Sequence, residues 1–335
     1  MRRREHLGAR AVTVLGLTAA LAYLLWRVAF SLQRTTLLLS VPTLVVETAG
    51  FLGAAVLAWA LWPTPSARPP AVAAVQHAAT SDVVVRVDHQ DVHEVRATLL
   101  ALRAVQHVEH VVVIDLSARP AVAALALEFQ AVYAAAEPAD RNGLRLALAA
   151  VRTPAFLLLD AGDVPTADII DRLARGLADS KVAVVQGLGA AFAEDSAEHG
   201  PNGYHELHFE RASLNPALGR RGTAAWSGTG SLVRADALRE ARVGNAASVA
   251  AQWLAGLEML AAGWAIIAPH DVAVLAHRSE QSESVVAQDR LHRVRAARQM
   301  VFGRRGVLRS RRFTRPQRLA VLAWTVRPLS GLRRV

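Results

Sequence analysis

The sequence predicts an α/β protein: a two-helix apolar hairpin followed by a doubly wound domain in which strands and helices alternate. Three observations lead there. Two apolar runs of at least twenty residues, 11–31 and 37–62, lie close together near the N-terminus. From Ser81 onward, short β-branched runs alternate with helix-like segments, the order of a sheet covered on both faces. The apolar run from Ala155 to Leu159 then ends abruptly in Asp160-Ala161-Gly162-Asp163, which puts two carboxylates at the end of a buried strand.

Each apolar run is long enough to cross the hydrocarbon core as a helix. A secretory leader would have a shorter apolar part and a small-residue cleavage site, so both runs are expected to be anchors. The basic head Arg2-Arg3-Arg4 places the N-terminus in the cytoplasm. Two crossings return the rest of the chain to that side, at the inner (plasma) membrane. Glu47 lies in the second run, where an ionised carboxylate is costly, and a partner such as Arg27 or Arg34 is expected. Residues 1–62 therefore form the hairpin, and the Pro-rich stretch 63–80 a linker. Residues 81–300 form the α/β domain, and 301–335 a basic amphipathic segment suited to a membrane surface.

Composition narrows the function. The net charge of +10 rests on Arg clusters at the N-terminus and from Arg290 onward, which suit anionic membrane lipids. Neither zinc spacing nor aromatic stacking accompanies them, so nucleic acid is not an expected partner. With no Cys, disulfides, thiolate metal sites and a Cys nucleophile are excluded. The His residues lack metalloprotease spacing. Ser227 stands in Trp-Ser-Gly-Thr-Gly, which is not a hydrolase elbow. No Gly-rich phosphate loop follows the first strand, so any nucleotide must be held by another device.

Carboxylates at strand ends could be that device. Strands over 83–87, 110–114, 155–159 and 182–186, with a short one near Val132, put Asp88, Asp91, Asp115, Asp160 and Asp163 at one rim if those strands run parallel. Such a rim can accept hydrogen bonds from a nucleoside and hold a hard cation on its diphosphate. For each Asp taken alone, the alternative is a helix cap or a turn.

Asp115 in VVVIDLSARP, the DAGDVP turn, VVQ at 184–186 and AWSGTGSLVRADAL at 225–238 occur in the order of one family. With YLLWR at 23–27 and FTRPQRLAVLAW at 313–324, they resemble a membrane-embedded family 2 glycosyltransferase of the cellulose synthase-like kind. The resemblance implies a GT-A-like (Rossmann-like) nucleotide-sugar domain, Mg2+ or Mn2+, a donor such as a UDP-sugar and a glycan acceptor. It assigns Asp88, Asp115 and Asp160 to the nucleotide sugar and Asp160 with Asp163 to the metal. Gly228, Thr229 and Gly230 would lie on the acceptor side, although a tight strand turn requiring positive φ is an equal alternative there.

Departures from the family pattern concern substrate chemistry. Gly162 takes the second carboxylate position of Asp-x-Asp. Counting back from Gly263-Trp264 puts Gln252 where the family has its base Asp, and an amide has no useful basicity. Glu258 lies six residues on and should face away. The Gln-x-x-Arg-Trp motif is reduced to LHRVR at 291–295, and the run at 141–145 is only partly kept. Two expectations follow: a membrane-anchored hexosyltransferase impaired in its chemistry, or a non-catalytic relative that senses nucleotide or binds a partner membrane protein.

Overall fold

The computed structural model describes residues 2–31, 37–62, 80–137, 142–191, 209–241, 248–270, 272–276 and 283–330. The chain divides into two units, Met1–Thr64 and Pro65–Val335. In the first, α1 (Arg2–Trp26) continues into a π-helical turn, Arg27–Ser31, and α2 (Leu37–Leu61) packs against α1. The apolar stretches Gly8–Phe30 and Ser40–Leu61 contain 23 and 22 residues. At about 1.5 Å per residue each is long enough for a hydrocarbon core of about 30 Å. Among the described residues Glu47 is met by Arg27 and Tyr23, and the other expected partner, Arg34, lies outside them. Arg27 Nε lies 2.7 Å from Oε2, and the Tyr23 hydroxyl donates to Oε1 at 3.1 Å.

The second unit is built on a seven-stranded sheet of order β3-β2-β1-β4-β8-β6-β9. Its strands are β1 (Ser81–Val87), β2 (Val108–Asp115), β3 (Val132–Ala135), β4 (Ala155–Asp160), β6 (Val182–Gln186), β8 (Ser231–Arg234) and β9 (Ala265–Ile267). The helices α3 (Val92–Leu102), α4 (Pro120–Glu128), α5 (Leu144–Ala150), α6 (Ile169–Leu177), α7 (Asn215–Gly219), α8 (Ala235–Glu240) and α9 (Ser248–Ala262) connect them. A three-stranded sheet of order β5-β10-β7 joins β5 (Asp163–Pro165), β10 (Val272–Ala276) and β7 (Leu188–Ala191). Helices α10 (Glu283–Phe302) and α11 (Arg315–Ser330) complete the described chain.

Side-chain alternation sorts the central strands. Val83, Val85 and Val87 of β1, with Leu157 and Leu159 of β4, pack under α3 and α6 against Leu99, Leu102, Ile169, Ile170 and Leu173. Val84, Phe156 and Leu158 point to the opposite face and are also buried. Both faces of the sheet are covered, so these strands read as continuous apolar runs.

Strands β1, β2, β3 and β4 run parallel, as the carboxylate rim requires. The sheet is nevertheless mixed: β8 enters antiparallel between β4 and β6. It can do so because Gly228 and Gly230, at φ 102° and 69°, turn the chain back at the rim, a conformation that disfavours a Cβ. In the C-terminal segment, Ala320, Val321, Ala323 and Trp324 of α11 are buried and α11 packs on α10.

A buried carboxylate secures the end of the sheet opposite the rim. Asp82, 1% exposed, accepts from Arg152 N and Thr153 N and meets His110 Nδ1 at 3.1 Å. Burial opposes its ionisation, yet these hydrogen bonds outweigh burial and hold its pKa below the ordinary 3.8. The stabilisation is therefore present above pH 3.8 and is lost as pH falls through the lower folded value. Asp82→Asn should cost about 1–3 kcal/mol at pH 7. In urea unfolding, the gap from the parent should narrow below pH 4, on the order of the usual carboxylate range.

Candidate functional site

The crevice at the carboxyl ends of β1 and β4 is the topological switch of the sheet. Strands β2 and β3 are laid down on one side of β1 and β4 on the other, so the connections diverge there. In open α/β sheets this is where ligands bind. Arg86 and Asp160 are register partners across this strand pair, and alternation puts both side chains on the face of Val84 and Leu158. Arg86 Nε and Nη2 both reach Asp160 Oδ1, at 2.9 and 2.6 Å. The Arg86 side chain is 9% exposed and that of Asp160 29%, so the carboxylate faces the crevice from above a largely buried guanidinium.

Beyond Asp160 the chain makes a tight turn fixed from three sides. Gly162, at φ 93°, donates its N–H to Thr98 Oγ1 at 2.9 Å, and that hydroxyl donates to Asp163 O at 2.9 Å. Asp163 is 4% exposed, and its Oδ2 accepts from Asp160 N and from the Thr229 hydroxyl. Thr229 Oγ1 in turn accepts from Asp160 N at 3.0 Å. Asp160 and Asp163 thus share one turn, but their carboxylates do different work: Asp163 turns inward to hold the backbone, and Asp160 faces the crevice.

The glycine turn forms the next wall. Gln186, buried at the end of β6, donates Nε2 to Thr229 O at 2.8 Å and accepts from Ser227 N at 3.1 Å. Gly230 N donates to Leu158 O at 2.8 Å, which ties the turn to β4. A Cβ on Gly228 would meet Gln252 Cγ at 3.3 Å, so the Gln252 amide lies directly behind the turn. Gln252 itself is 1% exposed. Glu258 is spent elsewhere on α9, 2.9 Å from Arg312 and 3.7 Å from Arg305.

The remaining Asp residues divide by role. Asp115 is fully buried and accepts from Ser117 N at 3.0 Å, Arg119 N at 2.6 Å and the Tyr133 hydroxyl at 3.4 Å. It fixes the loop from β2 into α4. Burial and the nearby Asp115 charge push the Tyr133 phenol pKa up. Asp91 caps α3 in a reciprocal capping box with Glu94. Asp88 keeps a side chain 32% exposed at the rim, with His89 Nε2 at 3.5 Å.

On the Ser227 side a cleft is lined by Asn215, Ser227, Trp253, Arg293 and Trp324. Trp324 Nε1 is buried and has no hydrogen-bond acceptor in the described protein. Arg86, Thr98 and Trp253 carry this geometry but were not singled out from sequence, whereas Gln186 and Trp324 stood there only as members of the stretches 184–186 and 313–324. An Arg inside an otherwise apolar strand, VVVRV, was the available signal for Arg86.

Among the described residues no group of three His, Asp or Glu side chains could hold a metal ion. At the switch a divalent cation would take Asp160, sharing it with Arg86 and completing its shell from ligand and water oxygens.

A family model described as glycosyltransferase like family 2 matches residues 70–307. Among solved structures, a mannosyltransferase from Pyrobaculum calidifontis, determined with GDP-Man and Mn2+, is similar at 14% identity and a TM-score of 0.56. That match covers 85% of this chain and 83% of the other, and at this identity it speaks to the fold. Glucosyl-3-phosphoglycerate synthase from Mycobacterium tuberculosis, with Mn2+, UDP and glucosyl-3-phosphoglycerate, matches at 14% identity and a TM-score of 0.48. The coverage there is 70% of this chain and 84% of that one. No curated protein matches the sequence.

Thr98 tests whether the turn depends on its hydroxyl. Thr98→Val removes both the acceptor of Gly162 N and the donor to Asp163 O at a buried position. It should lower unfolding stability by roughly 2 kcal/mol, and an unchanged urea midpoint would show that the turn stands without it.

Proposed function

The chain belongs to the glycosyltransferase like family 2, and on that premise we propose that it binds a nucleoside diphosphate sugar in the β1/β4 crevice as a membrane-anchored hexosyltransferase. The observation that carries this reading is the outward carboxylate of Asp160 at the topological switch, framed by the loop that Asp115 holds and by the Ser227–Gly230 turn. The diphosphate would lie over Asp160, the nucleoside toward Asp88 and the Asp115 loop, and the acceptor on the Gly228-Thr229-Gly230 side. A divalent cation such as Mg2+ or Mn2+, held by Asp160, would neutralise charge on the departing diphosphate. Asp163 would support that cation through the turn. The two indoles of the neighbouring cleft offer apolar faces of the kind on which a sugar ring of a glycan acceptor can stack.

Inversion at the anomeric carbon needs an acceptor hydroxyl opposite the leaving diphosphate and a group that takes its proton. Gln252, behind Gly228, stands beside the acceptor position and cannot take that proton. This one observation favours a second reading, a nucleotide-binding relative without turnover.

The hairpin lengths and the basic head support anchoring at the plasma membrane with the domain on the cytoplasmic side. The exposed Arg residues between α10 and α11 would face anionic lipid.

Calorimetric titration of the detergent-solubilised chain with UDP- and GDP-sugars in Mn2+ should show saturable binding of at least one donor. No binding to any of them contradicts the proposal. Gln252→Asp places a carboxylate behind the turn and should raise sugar transfer or donor hydrolysis by roughly tenfold or more. Equal, absent turnover in both forms, with donor bound, would favour the non-catalytic reading.

A further inference from the structure

From Phe302 to Arg315 the chain reads FGRRGVLRSRRFTR, and no Asp or Glu follows Asp289 in the sequence. The structure folds the start of this stretch into a tight loop at the end of α10. Gly303 N and Gly306 N donate to Gln299 O and Gly303 O, and Val307 N and Leu308 N then donate back to Met300 O and Val301 O, at 2.8 and 3.3 Å. A Cβ on Gly306 would meet Met300 O and Val301 O at 2.8 Å, so glycine is what lets the loop close. Closure sorts the apolar side chains. Val301 and Val307 turn inward, 2% and 0% exposed, while their successors Phe302 and Leu308 are each 52% exposed. Because Leu308 N is bonded to Val301 O, the two outward side chains leave neighbouring points of the backbone. Exposed Arg304, Arg305, Arg309, Arg311, Arg312 and Arg315 accompany them. Arg305 and Arg312 reach Glu258 of α9, and the other four make no ion pair among the described residues.

We infer that this loop docks the α/β unit on an anionic bilayer, with Phe302 and Leu308 entering the boundary between headgroups and acyl chains and Arg304, Arg309, Arg311 and Arg315 meeting lipid phosphates. The inference rests on the membrane anchoring proposed above. It adds a second point of contact, which belongs to the α/β unit and not to the hairpin. Large apolar side chains held in water by a tightly bonded loop mark a contact surface. The Arg residues beside them narrow its chemistry, because a guanidinium can reach lipid phosphates while its stem stays with apolar neighbours. An acidic protein would also satisfy the charge. The bilayer is favoured because the same chain carries two apolar helices of spanning length, which would keep the unit within reach of lipid. Two apolar residues and four cations hold lipid only weakly by themselves. Tethering through the hairpin makes the contact intramolecular, and the high effective concentration lets a weak contact persist.

The chain has no Cys, so single nitroxide labels report on chosen sites. Phe302→Cys and Leu308→Cys, each leaving the other apolar residue in place, are labelled in the full chain and reconstituted in phosphatidylcholine vesicles with or without phosphatidylglycerol. Leu127→Cys on α4, where the parent residue is 79% exposed, is the reference. With phosphatidylglycerol present, labels at 302 and 308 should gain collisions with oxygen and lose them with a water-soluble nickel chelate, each severalfold relative to the label at 127. Both changes should be smaller in phosphatidylcholine alone, and Arg304→Glu, Arg309→Glu and Arg311→Glu together should abolish them. Labels at 302 and 308 as open to nickel as the one at 127 would overturn the inference. Shielding that ignores lipid charge and survives the three Arg substitutions would overturn it too. Alkaline extraction separates docking from anchoring. A chain that stays in the vesicles with water-exposed labels overturns the docking alone, whereas a chain released from them removes the anchoring and the docking with it.

Discussion

The pairing of β1 with β4 is the constraint on which the site depends. It puts Arg86 opposite Asp160 at the point where the strand order diverges, and it brings the chain after Asp160 beside Thr98 and Thr229. Parallel strands cannot be joined by a tight hairpin, so their carboxyl ends gather loops from distant parts of the sequence. Here those loops are pinned largely by side chains bonded to backbone. Asp163 holds Asp160 N, Asp115 holds Ser117 N and Arg119 N, and Gln186 holds Ser227 N and Thr229 O. Few groups at the rim are therefore left to face a ligand, and Asp160 is prominent among them.

This division of labour changes what the aspartates mean. Five rim carboxylates look alike in the sequence, yet buried Asp115 and Asp163 build walls and Asp91 caps a helix. Partly exposed Asp88 and Asp160 line space. A buried carboxylate that accepts from backbone N–H groups has its geometry fixed, which makes it a support for a binding site. The buried Gln252 is similarly ambiguous from sequence alone: its importance comes from lying against the Gly228 turn, where an added Cβ would come within 3.3 Å of it.

The legible part of the protein was that governed by local pattern. Residues 144–150 and 182–186 form the expected helix and strand because their apolar periodicity is not contested by long-range pairing. The two apolar helices follow from length and composition in the same way. The direction of β8 was not legible, because Ser231–Arg234 reads as a strand whichever way it runs, and only the positive-φ turn before it decides. The packing of α11 on α10 was also hidden, because interleaved Arg and apolar residues give a helix an apolar face without naming the element that covers it. The pairing of Arg86 with Asp160 spans 74 residues and rests on strand order, which no local pattern encodes.

The central claim is that the β1/β4 crevice holds the donor. Amide hydrogen exchange of the full chain, with and without saturating sugar nucleotide, addresses it most directly. The account predicts slower exchange after β1, in the Asp115–Arg119 loop, in the Asp160–Asp163 turn and in the Ser227–Gly230 turn, with the strands beneath unchanged. Saturation without protection in those four segments, or protection confined to another part of the chain, would contradict it.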